Sequence, residues 1–544
     1  MCRSAREAEA TSCVIECIER PNSNFALIDR HFSSFPSIGP IRRIFSQVRS
    51  HDAKTAIIEE LGPNGAIDLA QENEDLQTRF GASPTSRVRR LSFFTQPCTT
   101  KDDVASLKDE HFTGYAIIKE DHVPGKYTKA RIYESVVRRS RRENNFVRGA
   151  QEWRCRVGSQ VFLVRGYLYA QQNAATNSCA HVACRTAAAR FHPDGDMSYR
   201  EMNSLLGIDH VQVHADQGLT STQMIAILEA AGARCIAASY PPSDPMIEAP
   251  PFHRLIYGTI ESGFPAILCF AAGEDRAHAI PVFGHTFNED MWVAHAELSY
   301  FRIGGTTYIP SDSWLSTYVG HDDNWGSNYC IPRHFLFSRQ LCKHSPVGPQ
   351  PCVMQSHGVE YVIATLPRDA KVGPMDAEAM GVRFLEGMLP QLPEPSEPWK
   401  KRLTHYAKSN LLVVRPILIQ SSEYLEHLGK VVGWDYSRIR SSIIQTLREW
   451  PEFPKGWVWM VELSVPELFS ANRRKVGEVL IRVDQAPGCD IGNYVLARVP
   501  GYFAFPVGGR ADAPEYRFFD NGAQGHVALF GCEDADPRPT TGGS

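Results

Sequence analysis

The stretch Gln171-Gln172-Asn173-Ala174-Ala175-Thr176-Asn177-Ser178-Cys179-Ala180-His181-Val182-Ala183-Cys184 decides how this chain is read. A polar run of small residues passes directly into an alanine-rich segment, Cys179 to Phe191, built from good helix formers. Asn177 and Ser178 suit the N-cap, so the pattern predicts a helix that starts at Cys179. A thiol at that position lies at the positive end of the helix dipole, which favours thiolate. Cys184 is the rival. Five residues further on, it falls inside the same helix on another face, where a free thiol among alanines packs as a small hydrophobe.

A thiol nucleophile also needs a base, a group that orients the base, and donors for an oxyanion. Downstream of a polar turn, Glu274 to Ala277, His278 begins the strand-like run His278 to Phe287. A histidine at the first position of a strand can point into a cleft while the strand stays rigid. His285 is seven residues on, an odd separation that turns it to the opposite side of the sheet. The orienting acid is expected where the strand-like Trp314 to Gly320 runs into His321-Asp322-Asp323-Asn324. Strand parity leaves Asp322 and Asp323 both open, with Asp312 a third option. Upstream, an amide from Gln171 or Gln172 can pair with the Cys179 backbone N–H around an oxyanion, and spacing favours Gln172.

Together these pieces resemble the papain-like cysteine peptidases, closest to the group that cleaves double-glycine leaders from bacteriocin precursors. The resemblance runs from Tyr169 to Asn324. It is carried by Gln171/Gln172, Asn177-Ser178-Cys179-Ala180, Gly218-Leu219-Thr220, Gly263-Phe264-Pro265-Ala266-Ile267, and His278-Ala279 with Gly284. It implies an α+β fold whose cysteine-bearing helix packs on an antiparallel sheet bearing the histidine and the acid. It also implies hydrolysis of a peptide or isopeptide bond, with Cys179 as nucleophile, His278 as base, Asp322 or Asp323 as orienting acid and Gln172 at the oxyanion hole. The same constellation serves a thiol acyltransferase or deamidase, and the fold can also act as a non-catalytic binding or scaffold module. Three features depart from the family pattern: alanine follows Cys179 where glycine is usual, Asn173 stands at the expected glutamine position, and the acid lies more than forty residues past His278.

The 544 residues predict two to three domains. We divide them into a mixed α/β region at 1–150, a papain-like peptidase domain at 151–345, a mixed α/β region at 346–532 and a disordered tail at 533–544. In the first region, Thr55–Leu61 and Ala66–Asp75 have mixed helical character, whereas Arg87–Phe94, His111–Lys119 and Lys129–Val137 read as strands. A net charge of -4 gives no global pull toward nucleic acid, and the basic run Arg138 to Arg142 reads as a solvated face. The 14 cysteines are scattered, no secretory signal opens the chain and no apolar run reaches membrane-spanning length. The expectation is a cytoplasmic protein with reduced thiols, a peptide or protein substrate, and no cofactor. A zinc site from Cys179, His181, Cys184 and a downstream histidine is the weaker reading, because the cysteine spacing does not match common zinc knuckles.

Overall fold

The computed structural model describes residues 4–18, 23–32, 39–138, 145–173, 178–209, 218–240, 251–271, 277–288, 301–303, 305–333, 336–338, 357–393, 397–409, 411–429, 437–472, 474–488, 490–510, 513–520 and 526–527. The class is α+β: three large sheets, paired mostly antiparallel, with helices on their faces. The tail expected at 533–544 and the basic positions 139–142 lie outside the described residues.

The first sheet is a meander of Ala10–Cys17, Thr55–Leu61, Thr85–Phe94, Phe112–Val123 and Tyr127–Val137. Thr55–Leu61, expected to have helical character, is a strand paired along both edges. Its glutamates suggest helix locally, but Glu59 is buried against Arg90 at 2.8 Å, and pairing with distant strands overrides local propensity. Ile67–Phe80 is the helix that Ala66–Asp75 foreshadows. The hairpin Gln151–Val157/Gln160–Gly166 packs Trp153, Phe162 and Val164 into this same core.

The second sheet positions the site. Its order is Gly326–Pro332, Leu315–Asp322, Ala277–Phe287, Ala266–Ala271, His357–Pro367 and Leu336–Ser338. Ala233–Ser239 also pairs with His357–Pro367, and Asn145–Val147 with Ala277–Phe287. Side chains alternate across it, as the two-residue period requires. Ile267, Cys269 and Ala279 pack with Ala183, Cys184 and Ala187 of the helix Cys179–Ala188. Leu268, Phe270 and Ile280 pack instead with Leu255 and Ile256 of the helix Phe252–Glu261.

The third sheet runs Phe301–Ile303, Thr306–Pro310, Leu412–Gln420, Trp457–Ser464, Gly477–Arg482, Tyr494–Val499, Tyr502–Arg510 and Ala513–Asp520. The helix Pro374–Met388 covers it with Phe384, Leu385 and Met388. Cuts at 150 and 345 therefore do not separate the sheets. Strand Asn145–Val147 and strand His357–Pro367 belong to the second sheet, while Phe301–Ile303 and Thr306–Pro310 belong to the third.

Candidate active site

Cys179 is the first residue of its helix, and Ser178 is the N-cap with extended backbone. The Ser178 hydroxyl makes no capping bond, and among the described residues its buried Oγ has no hydrogen-bond partner. Asn177 lies outside the described residues. The first-turn amides of the helix, which have no intrahelical acceptor, are thus not taken up by the Ser178 side chain. Cys179 is partly exposed, whereas Cys184 is fully buried and burial pushes its thiol well above the usual range.

The Cys179 Sγ accepts the backbone N–H of Ala279 at 3.4 Å, which joins the helix to the second position past the start of the strand Ala277–Phe287. His278 precedes that amide. Its Nε2 lies 3.3 Å from Asp322 Oδ2, in a hydrogen bond, and 3.4 Å from Asp323 Oδ1. Cys179 acts on the same ring, where it favours the charged imidazole. Burial by itself lowers the imidazole pKa. Hydrogen bonds to Asp322 and Cys179, with the charges of Asp323 and Asp322, overcome that and push it up to about 10. Phe270 sets its ring edge to face against His278, with centroids 5.4 Å apart.

The two acids are held differently. Asp322 ends the strand Leu315–Asp322, and its Oδ1 accepts the N–H of Asn324 at 2.8 Å and of Trp325 at 3.1 Å. Asp323 is in the turn that follows. Burial and the neighbouring Asp322 push its carboxyl above the usual range, against the lowering effects of His278 and Gln172. A register shift between Gly320 and Asp322 breaks the strand alternation here, so consecutive carboxylates reach one nitrogen.

Gln172 does not take the expected oxyanion position. Its amide donates to Asp323 Oδ2, because the segment leaving the hairpin Gln151–Gly166 runs beside the acid turn. Gln171 donates to the Asp323 carbonyl at 3.2 Å, and Asn173 lies 3.4 Å from Glu72. Asp312 is engaged with His253 and Arg333, and His285 with Glu261 at 2.8 Å. His181 is bonded to Asn203 at 2.7 Å, so it does not assemble a metal site with Cys179 and Cys184. Among the described residues, the donor atoms near enough to share a metal ion are those of His278, Asp322 and Asp323, within 4.8 Å of one another. Their direct pairing already accounts for that proximity.

Sequence reasoning missed Arg43 and Gln47 of the helix Gly39–Ser50. Arg43 Nε donates to the Ser327 carbonyl at 3.1 Å, and Ser327 Oγ donates to Gln47 Oε1 at 2.9 Å, on the strand that leaves the acid turn. With some 280 residues between the partners, no local signal announces them.

Comparison of the chain with family models, curated proteins and solved structures gives no match. Among the described residues no helix is long and apolar enough to cross a membrane.

Proposed function

We propose that this protein is a thiol-dependent hydrolase of peptide or isopeptide bonds with a papain-like core. The observation that carries the reading is the placement of the Cys179 thiol, at a helix start and against the Ala279 amide, next to His278, whose ring bonds Asp322. A cysteine-bearing helix packed on an antiparallel sheet bearing the histidine and the acid supports the same reading. The free thiols, exposed Cys17 and Cys330 among them, suit a reducing compartment and a cytoplasmic enzyme.

In this mechanism the Cys179 thiolate attacks the substrate carbonyl carbon, and the oxyanion forms against the N-terminal amides of the helix. Such donors contribute roughly 3–4 kcal/mol of transition-state stabilisation. The His278 imidazolium then gives its proton to the departing amine as the C–N bond breaks and a thioester remains. Water attacks the thioester, His278 takes the water's proton, and the C–S bond breaks to release the acid and the thiolate. Asp322 holds the imidazole ring throughout and stabilises its charged form.

Alkylation tests this directly. With iodoacetamide at about pH 6, an ordinary thiol with pKa near 8.5 reacts slowly. We expect Cys179 to label far faster than the exposed Cys17 and Cys330, and His278→Ala to abolish the difference. Equal labelling of the three cysteines in the wild-type protein would remove the basis of the reading.

A further inference from the structure

The turn that carries the acids is gripped from two sides by the N-terminal third of the chain. On one side, Gln172 Nε2 donates to Asp323 Oδ2 and Gln171 Nε2 to the Asp323 carbonyl. Gln171 is itself fixed to the edge strand Tyr127–Val137 of the first sheet. Its Oε1 accepts the Ile132 N–H at 2.8 Å, and its own N–H donates to the Ile132 carbonyl at 2.9 Å. Lys129 of the same strand donates to the Gln172 carbonyl at 3.0 Å. On the other side, Arg43 and Gln47 hold Ser327. Gly326 permits this approach: its φ is +120°, and a Cβ there would come within 3.0 Å of the Arg43 side chain.

We propose that Gln172 is a positioning residue of the active site, keeping the Asp323 carboxylate charged and aimed at His278, and that with Gln171, Arg43 and Gln47 it makes the N-terminal sheet part of the catalytic apparatus. The inference deepens the hydrolase reading and rests on it for the role of His278. Its physical basis is charge balance in a buried place. Asp323 is surrounded by His278, its like-charged neighbour Asp322, Lys129 of the edge strand and the Tyr169 ring. Burial and Asp322 both favour its protonated form, whereas the Gln172 amide favours the carboxylate. Without that donor the balance at Asp323 moves further toward its protonated form, and the second counter-charge of the imidazolium weakens. Gln172 therefore acts on the chemistry through Asp323, without touching substrate.

The test uses the full chain carrying Gln172→Met, nearly isosteric but without the donor. The readout is the His278 titration midpoint from NMR of ring-labelled histidine. We expect the midpoint to fall by about one pH unit, the scale on which a nearby charge acts, and Cys179 alkylation at about pH 6 to slow up to roughly tenfold. Gln47→Ala, which reaches Asp323 only through the turn, is expected to shift the midpoint in the same direction by less. It decides the matter if Gln172→Met does not fold. A purely structural role would lower the melting temperature and leave the midpoint in place, and an unchanged midpoint overturns the proposal. Because the midpoint is read without any thiol chemistry, slow labelling of wild-type Cys179 would sink the hydrolase reading separately.

Discussion

Two adjacent carboxylates approach one imidazole nitrogen, yet only Asp322 makes a hydrogen bond to it. Asp322 is also the more firmly held of the pair, since two turn amides donate to its other oxygen. The His278 pKa, raised from 6.5 to about 10, turns this into a statement about stability. A raised basic group contributes stability that is complete below its unfolded value of 6.5 and lost as pH rises through about 10. Asp322→Asn removes the main partner, so the wild type should exceed it in stability most at pH 6, with the margin shrinking by pH 10. Asp323→Asn should show a smaller margin, because burial already opposes the Asp323 charge. Urea unfolding at pH 6, 8 and 10 measures both, and a margin independent of pH would show that Asp322 does not hold His278 charged. Cys179 and His278 were legible because their cues are local, a helix start and a strand start. The choice between the acids was not, because a register shift and a turn defeat strand parity at that point. The Gln172 contact with Asp323 was hidden for another reason: its partner lies 151 residues away.

Elements were legible where their boundaries are written in neighbouring residues. Thr220 and Gln223 close a reciprocal capping box at the start of the helix Ser221–Ala230, the arrangement their spacing predicts. That helix puts Met224, Ile227 and Leu228 into the core shared with the cysteine helix. Thr220→Ala removes an acceptor for the Gln223 amide at an exposed position. It should cost about 1 kcal/mol, read from denaturant unfolding, while Cys179 alkylation stays at its wild-type rate. Slower alkylation at equal foldedness would mean that the cap fixes the cysteine helix as well as its own. The cap at Ser178 shows the opposite case. Ser178 is the N-cap, with extended backbone, but its hydroxyl leaves the first-turn amides alone, which is what an oxyanion site at that terminus requires. Thr55–Leu61 was misread because a central strand carrying Glu59 and Glu60, of which only Glu59 is buried, resembles a helix until its partners are known.

At the scale of the whole molecule, the candidate catalytic unit is not a separable block of sequence. His357–Pro367 is paired with Ala266–Ala271, Ala233–Ser239 and Leu336–Ser338, so the sheet under the cysteine helix needs a strand from beyond residue 345. A buried charge group ties the second and third sheets as well. Glu261 bonds His285 on one side and Arg415 on the other, and Arg415 reaches Glu462 at 2.7 Å. Breaking such a group by removing one member typically costs about 3–5 kcal/mol, because the remaining charge stays buried without its partner. A fragment of residues 151–345 would lose Arg415, the His357–Pro367 strand, the Asn145–Val147 strand and the contacts of Ile132, Arg43 and Gln47 with the acid segment. It would keep Phe301–Ile303 and Thr306–Pro310, whose sheet is elsewhere. The broken charge group alone is a large share of the roughly 5–15 kcal/mol that holds an ordinary domain together. We therefore expect the fragment to show no cooperative unfolding transition and to label Cys179 at the rate of its other cysteines. A sharp transition with fast, selective labelling would show that the strands outside 151–345 are dispensable and that the candidate catalytic unit folds by itself.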